Sequence, residues 1–190
     1  MVYSLHGWGV FLNPYRIFHY NNWGQVSCGP DGLTFPGVGD NVRFLSGADA
    51  KLRYRVVNVR SILVAEGAVF GMTGPTLALQ DPATNAPGVI TNRGTTRFEG
   101  GDTTTLSCLF LNEGALEVTG SIHFSNGVLR NPAGRTMQFF GGNITAAANT
   151  TNLLENYGTL RKVGTFVYWI GAPMLQRDAT VVIEPNGGDL

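Results

Sequence analysis

In the second half of the chain, hydrophobic and polar positions alternate in short runs, each closed by glycine, asparagine or proline. In Ala115-Leu-Glu-Val118, the apolar Leu116 and Val118 fall on one side, and Ala115, Glu117 and Thr119 on the other. That period of two places successive side chains on opposite faces of a strand. Thr96 and Phe98 repeat the inward pair, and Leu160 begins it again. Further strand-like pieces lie between these runs: Ser107–Leu111, Ser121–Phe124, Gly127–Leu129 and Thr165–Ile170. No window free of glycine, proline or β-branched interruption carries apolar residues at i, i+3, i+4 and i+7, so the pattern predicts an all-β chain with little helix.

The runs belong to a repeat. Asn92-Arg-Gly94 leading to Phe98 is followed by Asn112-Glu-Gly114 leading to Val118, by Asn131-Pro-Ala-Gly134 leading to Phe139, and by Asn156-Tyr-Gly158 leading to Val163. A degenerate fifth copy runs from Gln176 to Ile183. The anchor positions 94, 114, 134, 158 and 179 are 20, 20, 24 and 21 residues apart, which suits one turn of a β-solenoid. Asparagine tolerates the left-handed region and bonds to its own backbone, and the following glycine supplies positive φ, so each anchor pair reads as a tight turn before a strand. In the third and fourth copies, Met137, Phe139, Lys162 and Val163 imply a one-residue slip, expected as a β-bulge. With two or three strands per period, stacked coils pair like strands in parallel, and each coil's interior is buried only by its neighbours.

Two segments precede the clear repeats of 92–190. Asn41–Leu45, Leu52–Val57, Ser61–Val64, Ala68–Phe70 and Thr76–Leu79 are short strands, so the solenoid is expected over 41–190, with residues 80–90 looping from a corner. Residues 1–40 differ. Tyr3, Trp8, Phe11, Tyr15, Phe18, Tyr20 and Trp23 crowd the first part of the chain, ahead of Gly29-Pro-Asp-Gly32. Since a solenoid end exposes unpaired strand edges, this segment is expected to be an aromatic cap, or a strand laid across the first coil.

Leu154-Glu-Asn-Tyr-Gly-Thr-Leu-Arg-Lys-Val-Gly-Thr165, with Asn112–Val118 and Asn131–Gly142, resembles the Asn-x-Gly-Thr-Leu repeats of large bacterial extracellular β-helix proteins. Asn22-Trp23, Pro36–Val42 and Val59–Val64 are similar to the start of such regions, and the likeness covers most of positions 20 to 190. The resemblance implies a right-handed parallel β-helix, secreted or on the cell surface, within a family of adhesins and stalks. Relatives would continue into another coil where this chain reads Gly187-Gly-Asp-Leu190, so either a fragment or an end stacked on something is expected.

Composition sharpens the functional expectations. A chain 43% hydrophobic and 14% charged is a folded one, and 13 basic residues against 13 acidic give no field for nucleic acid or an anionic membrane. No apolar run is long enough to insert in a membrane, and no signal peptide is visible at Met1–Val10. Cys28 and Cys108 could form one disulfide or be two free thiols. Acidic residues are scattered singly, without the paired carboxylates or base-and-metal cluster of a polysaccharide hydrolase or lyase, so no catalytic residue is assigned. Arg97, Glu117 and Arg161 fall on different coils of one outward column and are expected to form a surface charge ladder. His6, His19 and His123 share no motif spacing; His123 is expected to point outward, and no metal or cofactor is assigned. Trp8, Trp23, Tyr168 and Trp169 are the candidates for stacking on sugar rings. The leading expectation is a non-enzymatic extracellular structural or adhesive solenoid whose partners are further copies of itself, joined end to end, or other surface proteins. A carbohydrate-binding module is the alternative, and a polysaccharide-degrading enzyme the third.

Overall fold

The computed structural model describes residues 2–5, 8–11, 38–53, 56–148, 151–164 and 169–184, with the backbone alone described for 2–5, 8–11 and 53. Most of the expected N-terminal cap, with Trp23 and Cys28, lies outside these residues, as does Tyr168. The chain opens with β1 (Val2–Leu5) and β2 (Trp8–Phe11). Five coils with a strand on each of three faces follow. They are β3 (Asn41–Phe44), β4 (Asp49–Arg53) and β5 (Val56–Val57); β6 (Ser61–Val64), β7 (Val69–Thr73) and β8 (Thr76–Leu77); β9 (Val89–Asn92), β10 (Thr95–Phe98) and β11 (Thr103–Leu106). The next two are β12 (Leu109–Asn112), β13 (Ala115–Val118) and β14 (Ser121–Phe124), then β15 (Val128–Asn131), β16 (Thr136–Phe139) and β17 (Ile144–Ala146). A sixth coil holds β18 (Leu153–Asn156) and β19 (Thr159–Lys162), and the last described strands are β20 (Met174–Gln176) and β21 (Thr180–Ile183).

Like strands stack in parallel along the column. The first face is the eight-stranded sheet β1-β3-β6-β9-β12-β15-β18-β20, the second is β2-β4-β7-β10-β13-β16-β19-β21, and the third is the five-stranded sheet β5-β8-β11-β14-β17. Ile170 extends the third face by a parallel bridge to Ile144. No helix occurs among the described residues, so the molecule is an all-β parallel solenoid.

The period-two pattern fixes which residues meet inside. Ile90, Phe110, Leu129 and Leu154 stack in one inward column of the first face, all fully buried. On the second face Phe70, Thr96, Leu116, Met137 and Leu160 form another. Burying each such aliphatic or aromatic side chain is worth ~1.5–3 kcal/mol, and most of that burial comes from the coils above and below.

The corners absorb what the strands cannot. Residues 80–87 swing out as a loop closed by an antiparallel Gln80–Pro87 bridge and lengthen the Ser61-to-Val89 period; it is shorter than the expected 80–90, because Val89 and Ile90 already belong to β9 and Ile90 is core. The expected bulge in the third and fourth copies does not occur. Leu116, Met137 and Leu160 pair in unbroken register, and so do Val118, Phe139 and Lys162. The third copy instead lengthens the corner before β16 to four residues, against two in the first, second and fourth copies, and there Gly134 takes a φ of +77° with open space around it. A corner residue costs no ladder hydrogen bonds, whereas a bulge would break two. Unbroken register turns Lys162 inward, in the place the expected slip would have given to Val163.

The other corner glycines have a different cause. Gly94, Gly114 and Gly158 do not have positive φ; a Cβ on Gly114 would lie 2.2 Å from the Gly94 carbonyl oxygen of the preceding coil. Glycine is required there by close stacking of one corner on the next. Gly114→Ala should therefore cost about 2 kcal/mol or more through overpacking, whereas Gly101→Ala, with nothing within 4 Å, should stay within about 0.5 kcal/mol of wild type in urea unfolding.

Candidate functional site

The four anchor asparagines are the last residues of β9, β12, β15 and β18, where the chain turns from the first face to the second. Each occupies an inward position of the alternation, and all four are fully buried. Their side chains bond to one another along the column: Asn92 Nδ2 donates to Asn112 Oδ1 at 3.0 Å, Asn112 Nδ2 to Asn131 Oδ1 at 2.9 Å, and Asn131 Nδ2 to Asn156 Oδ1 at 2.8 Å. Only the Asn131 side chain also bonds across its own corner. The second hydrogen of Asn92 Nδ2 reaches the Ala115 carbonyl at 2.7 Å, and Asn131 Nδ2 reaches that of Arg135 at 3.1 Å. The amide ladder thus adds side-chain donors to corner carbonyls, that of Arg135 also accepting the Thr159 N–H at 2.8 Å.

This ladder has a direction and two ends. Below Asn92 the column continues with Val64, which has no donor, so Asn92 Oδ1 is buried and unpaired. Above Asn156 the register partner is Gln176, whose side chain is exposed, and Asn156 Nδ2 is buried without a partner.

The three outer faces carry different chemistry. The first presents half-buried aliphatic residues, among them Leu63, Val89, Leu109 and Leu111. On the second, Arg97 Nε donates to Glu117 Oε2 at 2.8 Å across adjacent coils, one step of the expected charge ladder, and Arg161 Nε donates to Glu184 at 2.6 Å. Arg93 pairs with Glu113 at 2.8 Å, and Arg130 with Glu155, whose hydrogen bond raises the Arg130 pKa further. Such exposed pairs contribute about 0.2–1 kcal/mol each. The third face is polar, with Thr105, His123 and Thr145 in one outward column; His123 Nδ1 and Thr145 Oγ1 share a hydrogen bond of 2.9 Å. An open polar hollow of about 390 Å³ lies over the glycine corners, lined by Arg93, Glu117, Arg135 and Gln138.

The coil of Trp169–Ile183 is unlike those below it. Five of the seven large hydrophobic side chains exposed among the described residues lie there: Trp169, Leu175, Val181, Val182 and Ile183. Between them and the sixth coil opens a cavity of about 340 Å³, lined by Phe139, Leu160, Lys162, Trp169, Met174 and Gln176. Lys162, 1% exposed, is the charged residue of an otherwise apolar inward column running from Phe98 through Val118 and Phe139 to Ile183.

The candidate stacking residues are not brought together by what is described. Trp169 is 64% exposed at the cavity rim, with its indole packed over Gly171, and Trp8 occupies the first position of β2. Cys108 is a free thiol in the core, and burial raises its pKa from 9.0 to about 12. Among the described residues no three His, Cys, Asp or Glu side chains stand close enough to hold a metal. The ladder and the exposed coil escaped the sequence reading, although asparagine recurring at the last strand position of four copies was the available signal.

Fold and site together define a β-solenoid repeat protein. No family model matches the chain, and no curated protein or solved structure is significantly similar to it.

Two predictions follow from the buried groups. Asn112→Leu strips Asn131 Oδ1 of its donor and Asn92 Nδ2 of one acceptor, and should cost about 2–3 kcal/mol in urea unfolding. Asn156→Leu removes an Nδ2 that is already unpaired and takes only one acceptor from Asn131 Nδ2, so it should cost about 1 kcal/mol less, the end rung being the cheaper one to lose. For Cys108, the folded state keeps the thiol proton to about pH 12 while an exposed thiol loses it near 9.0, so the folded state binds more protons in that window. Stability in a Cys28→Ser background should fall as pH rises through it, and Cys108 should react with a thiol reagent only in denaturant.

Proposed function

We propose that this chain is a non-enzymatic, extracellular structural or adhesive β-solenoid, a rigid rod segment that spaces or displays what it is joined to. The observation that carries the reading is continuity along the column. Two faces run as unbroken eight-stranded parallel sheets, and the asparagine ladder threads four successive corners. Bending such a column opens ladder bonds on one face and compresses stacked corners on another, so it resists deformation. The likeness of the Asn-x-Gly-Thr-Leu phrases to bacterial surface β-helix repeats supports a place outside the cell. Cross-coil ion pairs such as Arg97–Glu117 occupy the outer charges in holding coils together.

A second reading, a carbohydrate-binding module, draws on Trp169, whose exposed indole borders the cavity at the last coil. A panel of surface polysaccharides and oligosaccharides, titrated against tryptophan emission and assayed for reducing ends and ultraviolet-absorbing unsaturated products, separates the readings. The rod reading expects unchanged emission and no product. Saturable quenching lost in Trp169→Ala would replace it with glycan binding, and product formation would replace it with an enzyme.

A further inference from the structure

We propose that the β20–β21 end of the column is a docking surface for a second copy of this chain, seated through that copy's β1 and β2 in parallel register. The inference deepens the rod reading by assigning its joint and its partner. Its first support is the hydrogen-bond polarity of the end strands. The Thr180 N–H donates to the Gly158 carbonyl and the Glu184 N–H to that of Lys162. In a parallel ladder alternate residues face opposite neighbours, so Val181 and Ile183 turn their N–H and C=O groups away from β19. On the first face, Pro173 accepts from Leu154 and the Arg177 N–H donates to Asn156, which turns the groups of Met174 and Gln176 the same way. These four residues present a two-sheet template with no strand on its far side among the described residues.

The second support is what that template would receive. β1 and β2 are the outermost strands at the opposite edge of the same two sheets, and both pair in parallel with the strands above them. A copy added head to tail continues both sheets in the direction they already run, as a heterologous contact that repeats. By backbone register the added copy sets position Leu5 over that of Gln176 and position Val10 over that of Val181, continuing the two columns that run through the stack. Exposed large hydrophobic side chains concentrate at this end, over a cavity that a further coil would roof. The joint would also bury Gln176, the next rung above the unpaired Asn156 amide.

The test uses the full chain in a concentration series by sedimentation velocity and negative-stain microscopy. Association into rods is expected, with an axial repeat of about 38 Å from eight strands at ~4.8 Å spacing. The variant Val181→Pro/Ile183→Pro removes only donors that face away from β19, and should raise the association midpoint at least ten-fold with the β circular dichroism retained. Independently, benzoylphenylalanine introduced at Leu175 should photo-crosslink to residues 2–11 of another copy, a readout that survives even if the proline variant misfolds. A monomer at every concentration overturns the joint, as do crosslinks that map elsewhere or association indifferent to a folded proline variant. None of these outcomes touches the rod reading, which rests on the glycan and product assays.

Discussion

Each coil of this protein depends on its neighbours for everything that makes it fold. The inward column Ile90, Phe110, Leu129 and Leu154 is fully buried because each side chain lies between two others contributed by adjacent turns. Backbone pairing obeys the same constraint, since all the long ladders run between coils. Stability is therefore a nearest-neighbour sum along one axis, and any feature that fixes the stacking offset of one coil fixes it for the column. The asparagine ladder is such a feature. An amide has both donor and acceptor, so it can be paired above and below at once, and a coil displaced by one residue would put Leu111 or Glu113 in its place.

That dependence accounts for the close corners. Gly114 lies so near the Gly94 carbonyl oxygen that no side chain fits, and this proximity is what lets successive amides reach each other at about 2.9 Å. It also explains why the two extra residues of the third copy are accommodated in the corner around Gly134 and leave β16 in register. Strands are constrained on both sides by parallel partners, whereas corners meet solvent on one side and can lengthen.

The same logic makes an end of the column chemically distinct from its middle. Groups that are buried and paired in interior coils become exposed or unpaired at a terminal one: Asn156 loses its donor's partner, and Val181 and Ile183 show the solvent faces that Leu116 and Val118 keep inside. An exposed apolar edge thus arises at the last described coil without any specialised residue, which is why no motif announced it.

Much of the architecture was legible in sequence because it is local. Alternation at Leu116 and Val118 depends on the strand period alone, and the recurrence of Asn-x-Gly depends on what a sharp corner tolerates, so the parallel solenoid and the start of the loop at 80 could be anticipated, though not its end at 87. Register between coils is not local. Whether Lys162 or Val163 points inward was settled by pairing with β16, and whether Asn112 closes its own turn or bonds to Asn131 was settled by the separation of stacked coils. The sequence by itself determined the fold class and the repeat. Only the tertiary structure decided the amide ladder, the buried lysine and the exposed apolar coil, because each is a relation between residues about twenty positions apart whose distance is set by stacking.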